Sequence, residues 1–202
     1  MQTNTKPHQS IRLFKNPILE ALSHVHPIVP LILWAPVVTY FLYQSFAHTS
    51  MTALTASFYT VMGVVFWSLT EYLMHRYFFH YSAKTKAGKW IIFLFHGNHH
   101  DDPQDPTRLV MPPAAGIPIA TVFYFLFKWS LGAEATMPFF AGFLIGYLIY
   151  DYIHFAVHHF RMSSSWAAAL KENHMKHHYM AKKGKWGVSS PVWDHVFGTY
   201  KQ

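Results

Sequence analysis

The chain has 202 residues, of which 51% are hydrophobic and 18% aromatic but only 12% charged, about half the charged share of an ordinary soluble domain. It contains no cysteine, which excludes disulfides, cysteine-rich zinc modules, iron–sulfur clusters and thiolate-ligated haem, so any metal must rest on His, Asp or Glu. The net charge of +7 comes from basic residues interleaved with apolar stretches, not gathered in one stripe; this argues against a nucleic-acid partner and for a membrane with anionic headgroups.

One domain is expected at this length. Residues 1–27 form a polar, cytosolic lead with Lys6, Arg12 and Lys15, lacking the apolar stretch and small-residue cleavage site of a signal peptide. A membrane domain is expected over residues 28–202, with apolar stretches at about 28–46, 51–74, 116–131 and 137–157. Each is close to the roughly 17–25 residues that cross a bilayer. The third is short and carries Lys128, which can snorkel from a helix end.

The turns at His48, Thr49 and Ser50 and at 132–136 contain no Lys or Arg. Positive charge collects in the lead, in the loop from Arg76 to Arg108, and at Lys171, Lys176, Lys182, Lys183 and Lys185. The positive-inside rule therefore places both termini and the large loop in the cytoplasm, leaving two membrane hairpins with tiny outer turns. The expected fold is an all-α integral membrane protein, with four transmembrane helices in two hairpins under a cytosolic helical cap. A soluble bundle of unusually apolar helices competes poorly, given the span lengths and the charge asymmetry. Pro30, Pro36, Pro118 and Pro138 are compatible with membrane helices.

Histidine is the anomaly, with 16 residues against 9 acidic ones. The clusters read His75 and His80; His96, His99 and His100; His154, His158 and His159; and His174, His177 and His178. A given His-x-x-His-His arises by chance in about one such chain in ten, and this chain has two, each after a hairpin. On a helix, positions i, i+3 and i+4 share a face, so His96, His99 and His100 are expected to converge, as are His174, His177 and His178, with His154 and His158 as a third group. His75 and His80 lie about 140° apart around a regular helix, which demands a helix end or a distortion between them, or two different metals.

These ten imidazoles, His75, His80, His96, His99, His100, His154, His158, His174, His177 and His178, are too many for one ion and comfortable for two. Neutral imidazole suits Fe, Zn, Cu and Ni, so ligand type alone does not select the metal. His8, His24, His26, His48 and His159 read as surface or interfacial side chains, and His195 as structural or as support for a ligand. Six of the nine acidic residues, Glu71, Asp101, Asp102, Asp105, Asp151 and Glu172, lie within five positions of a proposed ligand. A ligating imidazole usually hands its other N–H to a carboxylate or carbonyl. Glu71 and Asp151, each one turn before a histidine, are therefore expected to orient imidazoles, with Asp101 and Glu172 in the same supporting set; the alternative for each is a surface ion pair.

The motifs resemble the fatty acid hydroxylase and sterol desaturase superfamily, and within it the fatty acid 2-hydroxylases of the sphingolipid alpha-hydroxylase type. The likeness is carried by Glu71-Tyr72, His75-Arg76 through His80, His96-Gly97-x-His99-His100, and Asp105-x-x-Arg108-Leu109-Val110-x-Pro112-Pro113. It continues through Gly146-Tyr147-x-x-Tyr150-Asp151 into His154 and His158, and from Lys171 to Trp193-Asp194. The resemblance implies a histidine-bound di-iron centre at the cytosolic face of four membrane helices, with zinc able to replace iron in purified material. It implies O2-dependent hydroxylation of a lipid acyl chain at carbon 2.

Many relatives begin with a fused cytochrome b5 domain, which a 27-residue lead cannot hold, so a separate electron-transfer protein, cytochrome b5-like or ferredoxin-like, is expected. The aromatic-rich stretch 116–160 is a candidate acyl tunnel with Arg108 or nearby lysines at the head group, although such aromatics more often serve packing. Other readings are a sterol or carotenoid hydroxylase or desaturase on the same irons, and a metal transporter or store, which would need ligands along a path within the bilayer. A zinc hydrolase needs only three protein ligands and an open position.

Overall fold

The computed structural model describes residues 9–180 and 184–201. Lys6, His8, Lys182 and Lys183 lie outside the described residues. In chain order the helices are α1 (Pro17–Ser23), α2 (Val29–Ala47), α3 (Ala53–Leu73), α4 (Lys86–Ile92), α5 (Asn98–Asp101), α6 (Pro113–His159), α7 (Ser165–Tyr179) and α8 (Val192–Val196). Among the described residues there is no strand. Several starts are written in the sequence: Asn16, Thr52, Thr85 and Ser164 each cap a helix by accepting backbone N–H groups of the first turn.

Three helical segments are long and apolar enough to cross a membrane, Val29–Ala47, Ala53–Phe79 and Pro113–His159, where the sequence suggested four. The third and fourth apolar stretches both lie in α6, whose backbone breaks at Gly132 with φ 79° and ψ 169°. Such angles are open to glycine and strained for other residues. Phe123 and Phe143, which an unbroken helix would separate by about 30 Å, have ring centroids 4.8 Å apart. Phe127 and Phe139 are 4.9 Å apart. The helix therefore doubles back at Gly132 into two limbs, and the turn needs one residue where five were expected.

Helix α6 is the centre of the packing, with α3 and α2 laid against it. Trp34, Val38, Phe127, Phe139, Phe140, Phe143, Leu144 and Tyr147 form the buried apolar core. The backbones of α3 and α6 touch at two glycines. A Cβ on Gly142 would stand 1.9 Å from the Thr60 carbonyl oxygen, and one on Gly63 would stand 2.0 Å from that of Phe139. Small residues of this kind let membrane-type helices approach closely. The outward faces remain apolar, with Leu54, Trp129, Ile32, Phe58 and Val122 all well exposed, the surface expected of helices in lipid.

Two contacts fix the ends of the bundle. Ser50 donates to Glu134 at 2.9 Å, so the α2–α3 turn and the α6 turn lie side by side. At the opposite end the last residues of α3 and α6 converge with α5 and α7 on the histidines. The N-terminal lead is folded onto this end. Arg108, only 4% exposed, donates to Glu20 at 2.6 Å and to Ser23 at 3.0 Å. It also donates to His24 at 2.8 Å, whose other nitrogen meets Thr107 at 2.7 Å. Arg108 thus holds α1 in place and also lines the apolar cavity beside the histidines.

Gly142→Ala is expected to destabilise the protein by about 1–3 kcal/mol, since the added methyl must push two backbones apart. Gly116→Ala, whose Cβ meets Trp34 at an ordinary 3.6 Å, should leave the Tm in detergent unchanged or raise it.

Candidate metal centre

The ten clustered histidines assemble into two groups of five. His75, His80, His96, His100 and His177 form one, and His99, His154, His158, His174 and His178 the other; the ligand atoms of each group lie within 4.8 Å of one another. Neither His-x-x-His-His motif serves a single group, which corrects the expected three-way convergence. The i, i+4 partners stay together, His96 with His100 and His174 with His178, while His99 and His177 cross to the opposite group. Each group is therefore four rings from one hairpin and its following segment plus one ring exchanged from the other. His100 and His178 stack across the boundary, centroids 4.1 Å apart.

Two π-helical turns make this possible. One spans Met74–Phe79 at the end of α3, the other Phe93–Gly97 between α4 and α5. A π turn closes i→i+5 hydrogen bonds, so it supplies the distortion that His75 and His80 require and brings both into one group. His96 lies in the second π turn, and α5 follows it directly with His99 and His100.

The nitrogens face one another. Seven Nε2···Nε2 pairs within the groups lie at 2.8–3.2 Å. His75 Nδ1 meets the Trp186 carbonyl at 2.5 Å and His177 Nδ1 meets that of Gly184 at 3.0 Å. A carbonyl only accepts, so both Nδ1 atoms carry the proton, and each neutral ring turns an Nε2 lone pair towards its neighbours. In each group the Nε2 atoms converge closely enough for one cation to take several of them as ligands.

Electrostatics keep these rings unprotonated. Burial, reinforced by neighbouring imidazoles, holds His96, His99 and His174 well below the ordinary histidine range. His100 is pushed down to about 4 by burial and by His177. Burial lowers His177 as well, against the pull of the Gly184 carbonyl, and lowers His178 with help from His100 and His158. Neutral imidazoles are what a divalent cation needs, and the residues present fit two such ions.

The acidic residues fall elsewhere than expected. Glu172 is exposed and ion-paired with Lys176, and Asp101 is exposed on α5, so surface positions replace the supporting roles. Glu71 and Asp151 are buried. Asp151 accepts from the Tyr147 hydroxyl at 3.1 Å. Glu71 accepts from the Val188 and Ser189 N–H groups at 2.7 and 2.8 Å. The groups that receive His75 and His177 are backbone carbonyls of the tail, which spacing between histidines and acids could not reveal. His195 is exposed and stacks on Tyr200 at 4.1 Å, in keeping with a structural side chain.

Beside the histidines opens an apolar cavity of about 300 Å3. Leu13, Phe14 and Leu22 of the lead form one side, Leu109, Val110 and Met111 another, and His96, His99 and His154 lie on its wall. It therefore touches both histidine groups.

A helical bundle with an apolar exterior and two polyhistidine groups at one end defines a histidine-rich membrane metalloprotein class. Residues 60–199 match the family model described as fatty acid hydroxylase, and the chain belongs to that family of oxidoreductases. It is 40% identical over 176 residues to the ceramide very long chain fatty acid hydroxylase scs7 of Schizosaccharomyces pombe, covering 85% of this chain and 50% of the relative. It is 36% identical to the fatty acid 2-hydroxylase of Homo sapiens, covering 98% of this chain and 58% of the relative. The dihydroceramide fatty acyl 2-hydroxylase FAH2 of Arabidopsis thaliana is also 36% identical, with 93% of this chain and 79% of the relative covered. The chain thus spans about half the length of the first two of these relatives. The solved structure described as full-length scs7p, with only the hydroxylase domain visible, superimposes with a TM-score of 0.87 at 37% identity. That match covers 93% of this chain and 70% of the other.

Rings with lowered pKa values bind fewer protons folded than unfolded. The metal-free protein should therefore lose stability as pH falls below the unfolded imidazole value of about 6.5, continuing towards about 4, where His100 takes its proton. Thermal unfolding in chelator between pH 8 and pH 4.5 should show a falling Tm, and a flat profile would contradict the burial of neutral rings.

Proposed function

We propose that this chain is a membrane monooxygenase that hydroxylates a lipid acyl chain at carbon 2, with two irons on the ten imidazoles, O2, and electrons from a separate donor protein. The observation that carries it is the apolar cavity touching both histidine groups. A lipid chain is apolar along its length, and a wall of Leu, Val, Phe and Met side chains would seat it while excluding water. The relatives' names, fatty acid 2-hydroxylase and ceramide or dihydroceramide hydroxylase, point to an acyl substrate and to carbon 2.

When bound, the irons would supply the O2 chemistry, because replacing hydrogen by hydroxyl at carbon 2 is a two-electron oxidation that no side-chain acid or base can perform. The chain contributes position. His96, His99 and His154 fix the cavity wall relative to both ion positions, and Phe14 and Leu22, held through Arg108, close it from the outside. Holding the reacting carbon in one orientation selects it from a run of similar methylenes.

The same reading places α2, α3 and both limbs of α6 across the bilayer, with the histidine end and both termini in the cytoplasm. An acyl chain then reaches the cavity from the membrane. Because the chain has no cysteine, single-cysteine variants report topology directly. Ser50→Cys should react with an impermeant maleimide from the outer side of intact cells and Lys84→Cys only after permeabilisation; the reverse pattern would overturn the orientation.

Cells expressing the protein with an electron donor should accumulate 2-hydroxyacyl lipids, seen by mass spectrometry as a gain of one oxygen at carbon 2. Loss of two hydrogens would indicate a desaturase instead. His99→Ala and His177→Ala remove one ligand from each group and should each abolish the product and lower bound metal; full activity in either would remove that residue from the ligand set.

A further inference from the structure

The tail segment 184–189 makes an unusual set of bonds. Four consecutive N–H groups point at two buried carboxylates from different helices. Asp194, in the first turn of α8, accepts from Trp186 at 2.9 Å and Gly187 at 2.8 Å, and from the Thr199 hydroxyl at 2.6 Å. Glu71, near the end of α3, accepts from Val188 and Ser189 and from the Ser189 hydroxyl. The carbonyls of the same segment, at Gly184 and Trp186, receive His177 and His75. The Trp186 ring lies against His75, His80 and His177, with centroids 4.9–5.7 Å away.

The backbone is forced into this shape. Lys185, between the two accepting carbonyls, sits at φ 57°, a left-handed conformation uncommon outside glycine and tolerated where the surroundings fix it. Gly187 leaves no room for a side chain, since a Cβ there would stand 2.1 Å from the Ser190 carbonyl oxygen and 3.1 Å from the Asp194 carboxylate. Thr199 in turn contacts the Tyr72 hydroxyl at 3.1 Å, which Arg76 donates to at 2.7 Å. Both carbonyl contacts fall in one histidine group. In the other, the Nδ1 atoms of His154, His158, His174 and His178 are buried with no hydrogen-bond partner among the described residues.

We propose that Asp194 is a positioning residue for one ion of the pair: with Glu71 it moulds residues 184–189 into a clamp whose Gly184 and Trp186 carbonyls hold His177 and His75 with Nε2 aimed at the ion. The two ion positions are therefore unequal, because this clamp serves only the His75, His80, His96, His100 and His177 group. The inference rests on the reading that the ten imidazoles hold two ions. Second-layer partners of metal-bound histidine are worth about 10–100-fold in metal affinity, and that loss is expected at one position alone.

Cobalt(II) is a suitable probe, its visible d–d bands reporting the ligand field independently of turnover. Chelator-stripped wild-type protein in detergent should take up two ions; uptake of fewer would overturn the two-ion reading itself. Asp194→Asn, which keeps the shape, should bind one ion as the wild type does and the second about 10–100-fold more weakly. Placed in a His158→Ala background, which leaves the clamped group intact, Asp194→Asn should weaken cobalt binding by the same factor. In a His80→Ala background it should change nothing. Wild-type affinity at both positions, equal weakening of both, or loss in the His80→Ala background would overturn the proposal. If Asp194→Asn does not fold, Thr199→Val removes one of the bonds that hold the carboxylate and should shift the same position in the same direction; an unchanged pair of affinities there would equally overturn it.

Discussion

Ten neutral imidazoles packed nitrogen to nitrogen are the constraint on which the rest of the molecule depends. Protonating the rings would bury several like charges, and neutral rings can share a cation only if each is held in place by something outside the cluster. The bundle provides that frame: α3 and α6 meet backbone to backbone at Gly63 and Gly142, and their ends deliver His75, His154 and His158 to the same place. Three short segments then add the remaining seven rings.

The clustering of the ten histidines was legible because imidazoles at helical spacing leave a signature, and the apolar helices because hydrophobic length records them. What spacing could not record was the partition of the rings. A helical wheel assigns His96, His99 and His100 to one face, whereas a π turn ends at Gly97 and His99 meets His178 of the other group at 3.1 Å. The turn within α6 is compressed onto Gly132, so the two expected helices are two limbs joined by one residue.

Nearness in sequence misled for two of the acids. Glu172 and Asp101 sit beside ligands along the chain but point to the surface. Asp194, more than ten residues from the nearest ligand, acts through backbone N–H groups, which carry no side-chain signature. Its sequence clues were its place in the Trp193-Asp194 end of the family pattern and the glycine after Trp186, placed where a Cβ has no room. Arg108 carries a contact that the sequence did not show: it bonds Glu20 and Ser23 of the lead while lining the cavity. Its anchoring role turns the polar lead, which composition marks as a mere extension, into a wall of the cavity.

The central claim is that two ions share ten nitrogens in two groups of five. X-ray absorption at the metal edge, with metal content measured on the same sample, tests it most directly. The account predicts two ions per chain and a first shell of about five nitrogens at about 2.1 Å, with multiple-scattering features of imidazole. One ion per chain, or a four-coordinate shell, would contradict it.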